Sequence, residues 1–269
     1  MSTVGGGESD RGVEVSGQGS SLRRRAAPTN TVPISSVVQL KLLGGFELEV
    51  ERRRLHVAPH VQRLLAFLAL HDRPLHRAYV SGGLWIDASQ EQAFGALRTT
   101  LWRIRRVPEP VVEATSTHLA LASSVAVDAR ELAASAERTL HHRNQLDSDD
   151  VERLAEAGEL LPDWYDDWVL QRREQLRLLR LLALEAVCEE LAAAGRHTEA
   201  AIAALAAVAA DPLRESARRL LIGTCLGAGN RAEAVRQFVD FRARLQRELG
   251  LEPSPRMLDL LRAFGSPDC

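Results

Sequence analysis

Aromatic residues make up only 4% of the 269 positions, and cysteine is confined to Cys188, Cys225 and Cys269. Three cysteines without a CxxC spacing rule out a disulfide framework and give zinc no ligand set. Nothing approaches the ~18 uninterrupted apolar residues of a membrane-spanning helix, and the first 36 residues hold no apolar run of the ~7 to 15 residues that a secretory signal needs. The chain is therefore expected in the cytoplasm, away from membranes. Catalytic signatures are missing as well: there is no HExxH, no GxSxG and no GxxxxGK[ST] phosphate loop. His141 and His142 are adjacent, so they cannot share one helical face as ligands spaced i, i+4 do. Asp147, Asp149 and Asp150 read as a helix cap and solvated loop, since carboxylates favour a helix N-terminus. No catalytic residue, metal or cofactor is expected, and the chain is not read as an enzyme.

What is abundant is Ala, Leu and Arg within a hydrophobic content of 45%, the palette of packed helices with small residues at their contacts. The row GRHTEA (Gly195 to Ala200) returns as GNRAEA (Gly229 to Ala234), an offset of 34 residues. That is the tetratricopeptide period, in which each unit is a pair of antiparallel helices and the array holds a partner. Ala200, Ala207, Ala234 and Leu205 read as inter-helix packing positions, and the aromatic cluster of this half, Trp164, Tyr165 and Trp168, reads as core packing, with a partner hot spot as the alternative. Charge divides the chain too. Residues 37–125 carry 11 Lys+Arg against 8 Asp+Glu, and residues 126–269 carry 19 against 25. A basic segment beside an acidic one points to a polyanion partner for the first and a protein partner for the second.

Residues 1–36, rich in Gly and Ser, cannot bury enough apolar surface to order themselves and read as a disordered tail. Arg23, Arg24 and Arg25 within it read as a solvated charge run, with a minor-groove arm as the alternative. Residues 37–43 and FELEV (46–50) predict two antiparallel strands, with a third near residues 54–57. Val61, Leu64, Leu65 and Leu68 fall at i, i+3, i+4, i+7 and predict a helix to about residue 71, where Asp72-Arg73-Pro74 stops it. A short helix over 77–85 follows, then Ser89 with Gln92 in capping-box spacing predicts a helix over 90–107. Runs 111–115 and 119–122 flank Ser116-Thr117-His118 as a hairpin would. The fold class expected is mainly α: a winged helix-turn-helix over 37–125, then an all-α tetratricopeptide-like repeat domain over 126–269. Its helices are expected at 128–141, 148–160, 167–194, 196–210, 213–227, 231–248 and 255–264.

On the third helix Phe94, Leu97, Leu101 and Ile104 are spaced 3, 4 and 3 and predict one buried stripe. The opposite face carries Gln92, Gly95, Thr99, Trp102, Arg103 and Arg106, with Arg98 at its border. Such a helix suits the major groove, where arginine recognises guanine edges and glutamine adenine. Thr99 suits a thymine methyl or a phosphate. Trp102 is expected against the wing or the DNA backbone rather than a base. The wing-tip residues Ser116, Thr117 and His118 would reach phosphates or the minor groove.

LWIDASQEQAFGALRTTLWRIRR (Leu84 to Arg106) resembles the recognition-helix segment of the SARP-type regulators, the antibiotic regulatory proteins of actinomycetes. LLPDWYDDWV (Leu160 to Val169), DPLRES (Asp211 to Ser216), GNRAEA and ELGLEPSP (Glu248 to Pro255) resemble segments of that family's activator domain, in the family's order. The likeness covers about Val37 to Phe264. Two positions depart from it: Ile86 stands where many relatives have Pro, and Gly95 replaces a polar residue. The resemblance implies an OmpR-like winged helix followed by a bacterial transcriptional activator domain, in a short member without an ATPase module. It also implies transcription activation through direct repeats of double-stranded DNA near promoters, a homodimer, and contact with RNA polymerase. Such a protein would sit with the nucleoid and control secondary-metabolite genes. The alternative is a tetratricopeptide adaptor whose N-terminal domain binds protein instead of DNA; a steep salt dependence of DNA binding separates the two.

Overall fold

The computed structural model describes residues 38–142 and 145–263. The tail expected over 1–36, with Arg23 to Arg25, lies outside them. Three short strands open the described chain: β1 (Val38–Lys41), β2 (Glu47–Val50) and β3 (Arg53–Leu55). Period-2 alternation puts Val38, Leu40, Leu48 and Val50 on one face, where all four are buried. β1 and β2 are antiparallel, and Lys41 binds Glu49 across them at 2.6 Å. The turn from β2 to β3 has φ of 50° at Glu51 and 64° at Arg52, the signs of a type I′ turn built here without Asn or Gly.

Helix α1 (Pro59–Ala69) places Pro59 in its first turn, where a missing N–H breaks no helical bond. It buries Leu64, Leu65, Phe67 and Leu68 in the core shared with the sheet. After β4 (Leu75–His76) come α2 (Arg77–Leu84), α3 (Gln90–Ile104), β5 (Val112–Ala114), β6 (His118–Leu121) and β7 (Val125–Val127). The strands form two sheets, ordered β3-β2-β1-β7 and β4-β6-β5. This is a winged helix-turn-helix with two strands that the periodicity did not predict. β4 is two residues beside Pro74, too short to show alternation. β7 pairs in parallel with β1, Val125 opposite Val38, a partnership with no local trace.

Helices fill the remainder: α4 (Asp128–His141), α5 (Ser148–Glu156), α6 (Asp167–Ala193), α7 (His197–Ala210), α8 (Glu215–Gly227), α9 (Arg231–Leu249) and α10 (Pro255–Ala263). The 34-residue echo is a repeated helix end. Gly195 and Gly229 adopt left-handed φ of 75° and 76° after α6 and α8. The following N–H groups return to Leu191 O at 2.9 Å and Cys225 O at 2.8 Å, the paired bonds of a Schellman motif. Ala200 and Ala234, five residues beyond each glycine, are fully buried. Leu205 corrects the expectation of packing: it is 50% exposed. The buried stripe of α7 is Ala200, Ala203, Ala204 and Ala207, and Leu205 falls off it.

The two halves meet over a built junction. Leu160, Leu161 and Val169 are buried in the winged-helix core, not in the helical one. Trp164 stacks on Phe46 at 6.2 Å, and Trp168 meets Phe67 edge-on at 5.1 Å. The aromatic group is thus split: Trp164 and Trp168 pack on a core as expected, that of the first half, while Tyr165 corrects the expectation, being 78% exposed. Arg63 pairs with Asp166, and Arg130 donates to Ala69 O at 2.8 Å and His71 O at 2.8 Å at the end of α1. α5 stops four residues short of the expected position, and beyond its end Gly158 lies against Gly44, whose N is 3.1 Å from where a Cβ would stand.

Candidate nucleic-acid interface

Ser89 caps α3 as its spacing predicts. Its Oγ accepts from Gln92 N at 3.4 Å, and Gln92 Oε1 accepts from Ser89 N at 3.1 Å. Gln92 is exposed, with its side chain closing this box. The helix buries Ala93, Leu97, Thr100 and Ile104, while Phe94 and Leu101 are half-buried. Relative to the predicted stripe, the buried face is rotated by about 50°, at ~100° per residue. Thr100 is admitted to the core because its hydroxyl donates to Ala96 O at 2.8 Å. The rotation carries Arg98 well onto the outward face, moves Arg103 to its edge, and exposes Arg105, a cation that the stripe spacing did not select.

Arg98, Thr99, Trp102, Arg103, Arg105 and Arg106 are all exposed. α3 ends at Ile104, so Arg106 belongs to the turn beyond it, and its guanidinium folds back to 4.0 Å over the Trp102 ring. Trp102 is 55% exposed and serves as the platform for that cation. Thr99 Oγ1 donates to Gly95 O at 3.1 Å. Arg103 Nη1 lies 3.0 Å from His60 Nε2. Arg98 makes no hydrogen bond or ion pair among the described residues. The only acid of α3 is Glu91, in its first turn, so the face holds four arginines against one carboxylate at the far end. A Cβ at Gly95 would meet nothing nearer than Arg98 at 3.9 Å, so internal packing does not require glycine there.

The wing is fixed to the start of α2. Leu75 and His76 pair with Leu119 and His118, Arg77 N donates to Thr117 O at 2.9 Å, and Arg77 Nε donates to Thr115 O at 3.0 Å. Thr115 closes the tip, its Oγ1 accepting from His118 N at 2.9 Å. Thr117 and His118 are exposed; Thr117 Oγ1 lies 2.9 Å from His118 Nδ1, and the His118 ring meets His76 edge-on at 5.4 Å.

A family model described as Bacterial transcriptional activator domain matches residues 128–263. A curated relative, Regulatory protein AfsR of Streptomyces coelicolor, is 30% identical over 213 residues, covering 76% of this chain and 22% of its own length. Regulatory protein AfsR of Streptomyces griseus is 29% identical over 220 residues, covering 76% and 22%. The chain thus spans about a fifth of the length of these relatives. Among solved structures, Mycobacterium tuberculosis EmbR in complex with a low affinity phosphopeptide superposes with a TM-score of 0.68 at 19% identity, over 85% of this chain and 65% of that one. That likeness shows a shared fold. Among the described residues no helix is long and apolar enough to cross a membrane.

Proposed function

The chain belongs to the bacterial transcriptional activator domain family as a SARP-type regulator, and from that premise we propose that it activates transcription by reading double-stranded DNA with α3 and carries no catalytic activity. Residues 37–125 form the DNA-reading part and residues 126–269 the part that holds a second subunit and RNA polymerase. As a homodimer on direct repeats it would place two α3 helices on one DNA face, with the repeats about 10 to 11 base pairs apart. Its targets are promoters of secondary-metabolite genes, in the cytoplasm at the nucleoid.

The observation that carries this reading is the exposed row of Arg98, Arg103, Arg105 and Arg106 on and just after α3. A single helix fits the major groove, and each bidentate arginine–guanine contact gives about 1 to 3 kcal/mol of discrimination. Thr117 and His118 at the wing tip add backbone contacts. For the protein partner, the support is apolar exposure: Leu178 and Leu182 on α6 are 42% and 41% exposed, and Ile202 on α7 is 55% exposed. The test is selection of duplexes from a random-sequence pool, followed by gel retardation at several salt concentrations. A steep fall of affinity with salt is expected. Replacing Arg98, Arg103 and Arg106 together with alanine should abolish retardation while leaving the far-UV CD spectrum unchanged. Specific retardation retained by that variant would remove α3 from the reading role, and salt-independent binding would favour the adaptor.

A further inference from the structure

We propose that His60 is a positioning residue for DNA recognition: from the first turn of α1 its Nε2 accepts a hydrogen bond from the Arg103 guanidinium and fixes where that cation meets a base pair. The inference rests on the DNA reading of α3 given above. A guanidinium only donates, so at 3.0 Å from Arg103 Nη1 the His60 Nε2 is the acceptor and the ring proton sits on Nδ1. Gln92, Thr99 and Arg106 find partners within the same stretch of chain, in Ser89, Gly95 O and Trp102, whereas Arg98 makes no hydrogen bond or ion pair among the described residues. Arg103 instead reaches a different helix, and α1 is anchored by Leu64 and Leu65, both fully buried.

Without the tether, the Arg103 side chain has room on both sides. A hollow of about 330 Å³ lined by His60, Trp85, Ala96, Thr99 and Thr100 lies on one flank. A second, of about 360 Å³, lies towards Val57 and Arg106. Burial and the Arg103 charge both push the His60 pKa below the ordinary histidine value, so the acceptor form persists at neutral pH. Arg103 is the charged group that faces the ring; Trp85, Ala96, Thr99 and Thr100 around the hollow are uncharged. Holding a flexible side chain in its bound geometry before the encounter removes an ordering loss equivalent to about 2- to 10-fold in affinity.

The test is a double-mutant cycle on a duplex selected by the native protein, run at salt low enough for the Arg103→Ala protein still to retard it. His60→Ala should weaken binding by about 2- to 10-fold in the native background and leave it unchanged in the Arg103→Ala background. His60→Gln, whose amide oxygen also accepts from a guanidinium, should restore most of the affinity. An equal loss in both backgrounds, no loss at all, or tighter binding by His60→Ala overturns the positioning role while leaving DNA binding in place. Failure to enrich any duplex overturns the DNA reading, and this inference with it.

Discussion

Replacing Asp128 with alanine strips the acceptor from two backbone amides, Leu42 N and Leu43 N, that lie 86 and 85 residues earlier in the chain. The carboxylate holds Leu42 N at 2.8 Å and Leu43 N at 3.0 Å, and its own helix start through Ala129 N at 2.7 Å. Leu42 is fully buried, so its freed N–H has no access to water, and an orphaned buried donor costs about 1 to 3 kcal/mol. Leu43, half-buried, adds about 1 kcal/mol for a lost bond to a charged acceptor. Part of this is offset because burial outweighs the amide bonds and raises the Asp128 pKa, so the carboxylate is itself held unfavourably. The expected net loss is about 1 to 3 kcal/mol, read from urea unfolding followed by tryptophan fluorescence, with Trp164 and Trp168 at the junction as reporters. The pH dependence has an unusual sign for a carboxylate. With the folded pKa raised, the stability that Asp128 contributes is fully present below the unfolded value near 3.8 and declines as pH rises through the raised one. The difference between native and Asp128→Ala proteins should therefore be larger at about pH 4 than at pH 7. A loss under ~1 kcal/mol, or a difference that shrinks in acid, would refute the reasoning.

Asp150 behaves oppositely, since its bond to Arg138 lowers its pKa. Asp150→Ala should lose about 1 to 2 kcal/mol at pH 7, discounted for the half-exposed arginine, and the loss should fade as pH drops below ~4 through the lowered value, checked by urea midpoints across that range. Ala234→Phe should overpack the second repeat and destabilise by about 1 to 3 kcal/mol, whereas Leu205→Glu on the exposed side of α7 should stay within ~0.5 kcal/mol; equal melting temperatures for the two variants would break the repeat packing described here. Glu51→Asn combined with Arg52→Gly should raise stability by about 1 to 2 kcal/mol by relieving two left-handed residues. Differential scanning calorimetry reads that gain, and a lowered midpoint would contradict the turn geometry.

Much of the fold was legible wherever the chemistry is local. The α3 cap at Ser89 and Gln92, the stop at Pro74, and the glycine ends at Gly195 and Gly229 are each written within six residues, and the structure places each as spacing requires. What escaped was non-local. β7 is three residues whose partner lies 87 positions away, and nothing in Val125-Ala126-Val127 distinguishes a strand from the approach to a helix. The facing of α3 escaped for a related reason. A stripe drawn by spacing through Phe94, Leu97, Leu101 and Ile104 includes two half-buried residues, whereas the buried face takes in the small Ala93 and the back-bonded Thr100. With that rotation comes the exposure of Arg105. Likewise, Trp164 and Trp168 announce burial by composition without stating whose core they enter.

That last point bears on how the two halves act together. The segment from Leu160 to Val169 is the first of the four stretches that resemble the family's activator domain, yet its apolar residues complete the core under β1, β2 and α1. Arg173 then donates to Leu160 O at 2.8 Å and to Trp164 O at 2.8 Å, tying the segment back to α6. Arg130 engages the carbonyls at the end of α1 from the other side. The segment thereby packs on the core of the first half while being hydrogen-bonded to α6. α1 in turn carries His60 at its start and meets Arg103 there. The contact path from the helical half to the cation at the edge of α3 is therefore continuous: α6, Trp168, Phe67, α1, His60, Arg103. The helical half is thus joined to α1 by direct side-chain packing, and α1 to the cation at the edge of α3 by the hydrogen bond between His60 and Arg103.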